Sequence, residues 1–524
     1  MAKNRLKPRQ RNLFLGTFFL TVMLSVFSVA LSILPVITNA PQGIFFGMDP
    51  DAVYVANALS YIKSHQIQFM GHPGTPTILL IAYSFTPLRL FAKYIIHQPF
   101  IDWAFLHYHA IFTYARLFQA LVFGVSVFIF LTAVHHLSRS RLAVIFAWVA
   151  LMAFRPVPFL GSVIAPETLS VALVSLWLLG FSLFLTKRFS ALLLILSFLA
   201  GLAVANKTTN ITLVLASLTL CVLRFRRYPL FSKLVHLFLN ALIVSIGFLG
   251  GIWPIHNTII QILKLNFDFA SHTGIHGGGS QTFIDFSLFL SNTRAFHQQG
   301  PFILPLLIIG LLLVVFHLRF TKKLSTEIPL LYLVTLPVFI VFLKFNLFHY
   351  ELANYLIFIF LISTYLATHL KPSLIFFSLF ILWYLPISTQ SYFRGINIQV
   401  NQAVALESYI KDHPPKIATA WVWGLARDFA YIWARDWTGG LFDSQIKRYR
   451  PDLLEVKSDF QKINLNKYDQ KKVFDVCWDQ LYLQQDLVPK FTALYPDRIL
   501  TVGSIPNTRM AVISSAHCPP SPTQ

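Results

Sequence analysis

Phe46-Gly47-Met48-Asp49-Pro50-Asp51-Ala52-Val53-Tyr54-Val55-Ala56, with Gly71-His72-Pro73 a short way on, is the stretch from which the rest of this chain is read. It follows the first long apolar run, Leu13 to Leu34. Carboxylates beside a membrane are costly to desolvate, so Asp49 and Asp51 call for a chemical reason. They are candidate catalytic groups. The competing reading is a helix cap, which Asp-Pro-Asp also suits. From Asp51 on, Val55, Leu59 and Ile62 fall at i, i+4 and i+7. That spacing predicts a helix over 51–64 lying in the membrane interface rather than crossing it.

The surroundings of this stretch are those of a polytopic membrane protein. Of 524 residues, 56% are hydrophobic and only 12% charged, against about 25% charged in a soluble domain. The net charge of +21 comes from Lys and Arg clustered between apolar segments, as expected of cytosolic flanks. No basic helix interleaved with base-stacking aromatics lies outside those flanks, so nucleic acid is not an expected partner.

Lys3, Arg5, Lys7, Arg9 and Arg11 precede the first span and place the N-terminus in the cytosol. That run is long for a signal-peptide core and is read as a retained anchor. Residues 76–93 are apolar enough to span but are interrupted by Pro76 and Pro87. Placing them in the interface puts every later basic cluster inside. The second span is then 112–134, followed by 142–160, 168–186, 189–205, 209–223, 234–253, 301–318, 327–343, 350–368 and 373–387. With the first this makes about eleven transmembrane helices, some short against the roughly 20 residues that cross 30 Å of hydrocarbon. Asn206-Lys207-Thr208-Thr209-Asn210 is expected to draw a short turn into the membrane surface. The outer loop 254–300, with its glycine run at 277–279, is expected to be a mobile substrate lid.

Composition shifts after residue 387. Charges return, and strand-length apolar runs occur at Lys416–Trp421, Val473–Trp478, Ile499–Gly503 and Met510–Ser514. Helical patterns at Gln399–Asp412 and Ala426–Arg435 lie among them. The expectation is a transmembrane domain over 1–387 and a small extracytoplasmic α/β domain over 388–524, ending in a disordered tail. Cys477 and Cys518 lie in that tail and pair only if it faces an oxidising compartment.

In order along the chain, Asp49-x-Asp51-x-x-Tyr54-Val55-Ala56, His72-Pro73, Ala115-Arg116-Leu117, Pro166-Glu167-Thr168-Leu169 and Gly201-Leu202-Ala203-x-x-Asn206-Lys207-Thr208-Thr209 resemble the GT-C glycosyltransferases, in particular the protein-mannosyltransferase and aminoarabinose-transferase-like group. The resemblance covers the first two-fifths of the chain by motif and the rest by layout. That family carries an adjacent Asp-Glu pair; here Pro50 separates the acids, and the spacing to Tyr54 favours Asp51 as the equivalent. The resemblance implies an inverting, membrane-integral transferase taking a sugar from a polyprenyl-phosphate donor. The acceptor is a lipid-linked glycan, a cell-envelope polymer or a protein, at the outer face of what is more readily a bacterial membrane than the endoplasmic reticulum.

Such chemistry needs a base, cations for the departing phosphate, and apolar walls for the lipid. Asp49 and Asp51 fit the first role. Lys207 and Arg116, with His349 and Tyr350, are the candidates for phosphate binding; the bland alternatives are a snorkelling lysine, a structural ion pair of Arg116 with Glu167 or an aspartate, and an interfacial aromatic anchor. Tyr54, His72 and Glu167 are candidates for positioning substrate, Glu167 being equally suited to a helix N-terminus. Asp-x-Asp suits a divalent cation, but relatives of this kind work without one, so no metal and no cofactor are expected. His272 and His276 sit among glycines, which argues against a helical metal pair. The rival classes are a transporter or flippase, for which matching discontinuous helices are not evident, and a non-catalytic scaffold.

Overall fold

In a computed structural model of the chain, the described residues are 8–39, 51–68, 74–154, 157, 161, 163–187, 189–273, 279–283, 285–299, 303–320, 327–343 and 348–369. Beyond 374 they are shorter pieces, chiefly 381–387, 417–419, 440–449, 454–456, 481–485, 488–493, 500–504 and 510–515. Asp49, His72, the side chain of His349, Cys477, Cys518, the expected strand at Val473–Trp478 and the expected helix at Ala426–Arg435 lie outside them.

The helices are α1 (Pro8–Asn39), α2 (Asp51–Ser64), α3 (Thr75–Ser84), α4 (Thr86–Tyr94), α5 (Phe100–Leu106), α6 (Tyr108–Ser138), α7 (Arg141–Ala153), α8 (Pro166–Lys187), α9 (Ala191–Asn206), α10 (Ile211–Arg224), α11 (Leu230–Gly251), α12 (Ile259–Ser271), α13 (Phe286–Gln299), α14 (Ile303–Phe320), α15 (Glu327–Phe342), α16 (Leu352–His369), α17 (Asp443–Tyr449) and α18 (Val488–Ala493). Among the described residues, stretches within α1, α6, α8 and α11 are long and apolar enough to cross a membrane by themselves; α7, α9, α10, α15 and α16 are shorter and equally apolar. The protein is a multi-pass membrane protein of helices, with a small sheet near its C-terminus.

Contacts divide the chain into two units. The first is built from residues 1–34, 69–80 and 116–392. Lipid offers apolar surface as readily as a neighbouring helix does, so its helices are held by shape and by polar links. Shape acts where α9 meets α11: a Cβ on Gly201 would overlap the Val244 carbonyl oxygen, and one on Gly247 the carbonyl oxygen of Phe198. Gly251 lies against Ala205 in the same seam. Polar links include Trp148 Nε1–H to Ser28 Oγ at 2.9 Å, Trp177 Nε1–H to Ser217 Oγ at 3.0 Å and the Tyr355 hydroxyl to the Ala150 carbonyl. The core runs through Phe130, Phe146, Phe154, Trp177 and Phe181, all buried.

The second unit is built from residues 35–68, 81–115 and 393–524. Its five strands are β1 (Ile417–Thr419), β2 (Leu454–Val456), β3 (Leu481–Gln484), β4 (Leu500–Ser504) and β5 (Met510–Ser515), in the order β2-β1-β3-β5-β4. β1 lies parallel to β2 and β3, and β5 antiparallel to β3 and β4. Away from the sheet, Asp102 on α5 accepts a bond from Gln445 Nε2 on α17 at 3.1 Å. Phe105 stacks on Tyr449 at 5.6 Å and meets Phe442 at 5.9 Å.

Three expectations are corrected here. Residues 254–300 are not an unstructured lid but carry the helices α12 and α13, with Asp285 capping the second. The helix expected to fill 142–160 stops at Ala153; Phe154 is already extended, two residues before Pro156. And α2, though its limits are those expected, is buried on all sides from Asp51 to Ser60 rather than on one face. Residues 76–93 form α3 and α4, 10 and 9 residues long, each spanning about 15 Å and too short to cross alone. α4 exposes Leu90, Phe91 and Tyr94 alongside Arg89 and Lys93, the composition of an interfacial helix.

Candidate functional site

Lys207 sits where α9 ends. Its backbone is extended, at φ −156° and ψ 124°, and a single 3₁₀ turn over Thr208–Asn210 leads into α10. The break is held by side-chain amides. Asn206 donates from Nδ2 to the Pro166 carbonyl at 2.7 Å and to Ser170 Oγ at 3.0 Å, and accepts from the Thr77 hydroxyl at 2.7 Å. Its backbone carbonyl accepts from Gly74 N–H at 2.9 Å. Asn210 Nδ2 donates to Ser170 Oγ at 3.0 Å and to the Ala203 carbonyl at 2.8 Å. Both asparagines are 1% exposed or less. The buried amides thus replace helical hydrogen bonds lost at the break, as membrane depth demands.

These bonds bring the start of α8 to the end of α9, and with it Glu167 to Lys207. The two side chains form an ion pair and are 6% and 4% exposed. Lys207 Nζ also lies 4.5 Å from the centroid of the Tyr350 ring, within cation–π range. Three of the residues singled out in the sequence, Glu167, Lys207 and Tyr350, therefore meet at one place.

A cavity of about 340 Å³ opens there. Lys207, Thr208, Thr209 and Tyr350 supply its polar end; Phe248, Leu263, Phe267, Phe269 and Phe342 are among its apolar walls. Phe269 meets Tyr350 at 5.7 Å. α12 contributes Leu263, Asn266, Phe267 and Ala270, a spacing of 3, 4 and 7 that puts them on one helical face. One cation and an aromatic ring at the end of an apolar hollow suit an amphipathic anion.

Arg116 is buried at 4% exposure on α6. Asp51 opens α2 in the second unit, 4% exposed, with the fully buried Tyr54 one turn on. The sequence reading missed α12 as a wall and missed Asn206, Asn210 and Ser170 as the clamp. The α12 face was visible as a helical period inside the supposed loop.

No protein-family model matches the sequence, and no curated protein matches it. Among solved structures, the chain is similar to the crystal structure of ArnT from Cupriavidus metallidurans bound to undecaprenyl phosphate. The identity is 12% and the TM-score 0.52, over 96% of this chain and 98% of that one. At that identity the likeness carries the fold: the polytopic helical GT-C architecture.

Proposed function

We propose that the protein is a membrane glycosyltransferase whose Lys207 cavity receives the phosphate of a polyprenyl-phosphate sugar. The observation that carries this reading is a buried ammonium, shared between Glu167 and the Tyr350 ring, at the polar end of an apolar cavity. Glu167 supplies the counter-charge that a cation held out of water needs. An ammonium has three donors, so one bond to Glu167 leaves others for a phosphate. The donor lipid leaves as a phosphate monoester with more charge than the diester it came from. A fixed cation is then worth most as the glycosidic bond breaks. The solved GT-C structure with bound undecaprenyl phosphate supports the same class of lipid here.

In this reading Asp49 or Asp51 takes the acceptor's proton and the anomeric centre inverts. Arg116 and His349 assist at the phosphate, and Tyr54 and His72 position substrate. No metal or other cofactor takes part. The acceptor is a lipid-linked glycan, a cell-envelope polymer or a protein at the outer face of a bacterial membrane. The N-terminus is cytosolic, the transmembrane domain covers 1–387, and residues 388–524 form the extracytoplasmic domain.

The test is glycan transfer by the intact protein carrying Asp49→Asn, Asp51→Asn or Lys207→Gln, at matched abundance. One aspartate variant should lose transfer entirely, and Lys207→Gln should lose most of it. Full activity in all three would hand the chain to transport or scaffolding.

A further inference from the structure

Beside Tyr350 stands an acid that the mechanism above does not use. Glu351 ends the 3₁₀ turn Phe348–Glu351, outside the apolar helix α16, and is 1% exposed. Its Oε2 accepts from Asn354 Nδ2 at 2.8 Å. Asn354 Oδ1 in turn accepts from the Thr212 hydroxyl at 2.6 Å. Thr212 follows Ile211, which lines the cavity, in the first turn of α10. One hydrogen-bonded chain thus ties the turn that carries Tyr350 to the segment that carries Lys207. Among the described residues, Glu351 Oε1 has no hydrogen-bond partner.

Oε2 takes a neutral amide donor, so the bond to Asn354 asks for an acceptor and not for a charge. An ionised acid one residue from Tyr350 would oppose an anionic ligand; a neutral one makes the bond to Asn354 without the charge.

We propose that Glu351 is a positioning residue for the phosphate site, one that holds Tyr350 against Lys207 through its hydrogen bonds to Asn354 and thence to Thr212. This rests on the reading of the cavity as the donor-phosphate site.

The experiment is equilibrium binding of a polyprenyl phosphate to the full-length protein in lipid nanodiscs, with the matching polyprenol as the phosphate-free control. Glu351→Gln keeps size and hydrogen bonding without any charge, and should bind the phosphate within about twofold of the parent. Glu351→Leu and Thr212→Val should each weaken it about fivefold, the scale of one neutral buried hydrogen bond, and leave the polyprenol unchanged. Combined, they should weaken it no more than the worse single change, because both cut one chain. If Glu351→Gln binds as poorly as Glu351→Leu, an ionised carboxylate is required and the proposal fails. Unchanged binding in Glu351→Leu and Thr212→Val overturns it too. Should Glu351→Leu not fold, Thr212→Val decides alone, since it keeps shape and leaves the acid in place. Lys207→Gln separates the two readings. Binding at the parent level there removes the phosphate from this cavity, whereas loss there with unaffected Glu351 and Thr212 variants removes only the positioning role.

Discussion

Lys207 and Glu167 hold opposite charges out of water, and neither is easily kept without the other. Removing one partner of a buried pair leaves an uncompensated charge, typically at about 3–5 kcal/mol. Glu167→Gln should therefore destabilise the protein on that scale, and Glu167→Gln combined with Lys207→Gln should recover much of the loss. Thermal unfolding in detergent compares the two; equal loss in both would mean the charge is compensated elsewhere. Little of this pairing was legible in the sequence. Lys207 has no acid near it along the chain, because its partner stands 40 residues back at the start of another helix. Asn210-Ile211-Thr212 has the pattern of an N-glycosylation acceptor, but the Asn210 amide is buried and both its donors are used. Expression in a glycosylating host should accordingly add no glycan at Asn210, as mass spectrometry would read directly.

Helices were the legible elements, since hydropathy alone marks a long apolar run. Where charge and glycine broke the run, the reading failed: the length and glycines of 254–300 outweighed the helical period that α12 carries. Asp285 is the local reason that α13 begins where it does. Its carboxylate accepts from the Ser287 hydroxyl and from the backbone N–H groups of Ser287 and Leu288. Those bonds hold it below the usual carboxylate range, the Ser287 hydroxyl foremost. With the folded value depressed, the contribution is present above the range of a free aspartate and lost as pH falls through the folded value. Protection of the amides in the first turn of α13, measured against their intrinsic exchange rates at each pH, should then fall in acid, and Asp285→Asn, which still caps, should remove that pH dependence. The glycine seam makes a second prediction for elements. Gly201→Ala places a methyl group on a backbone carbonyl and should cost about 1–3 kcal/mol, as overpacking does. Thermal unfolding with an unchanged transition would show the seam to be looser than the structure has it.

At the scale of the molecule, chain order and spatial unit part company. Helix α2, which carries Asp51 and Tyr54, belongs to the same unit as the C-terminal sheet. Composition announced the α/β tail, and three of its strands fall where the apolar runs predict. It gave no sign that α5 joins it, because Asp102 and Gln445 are 343 residues apart and each looks like an ordinary surface residue in its own neighbourhood. Phe105 is fully buried between Phe442 and Tyr449, so Phe105→Ala should destabilise this unit by about 3–5 kcal/mol. Hydrogen exchange should rise in α5 and α17 together; a rise in one alone would mean that the two are not one cooperative body.

With no side chain between Gly201 or Gly247 and the opposing backbone, α9 and α11 have nothing to slide on and no slack to yield. They form a single rigid bar, and Val204 and Phe248, one from each helix, make it a fixed wall of the cavity. α12, a 13-residue helix that also lines the cavity, leaves Leu263 and Phe267 more than half exposed. The cavity thus joins a wall closed by backbone contact to one whose apolar side chains still have surface to cover.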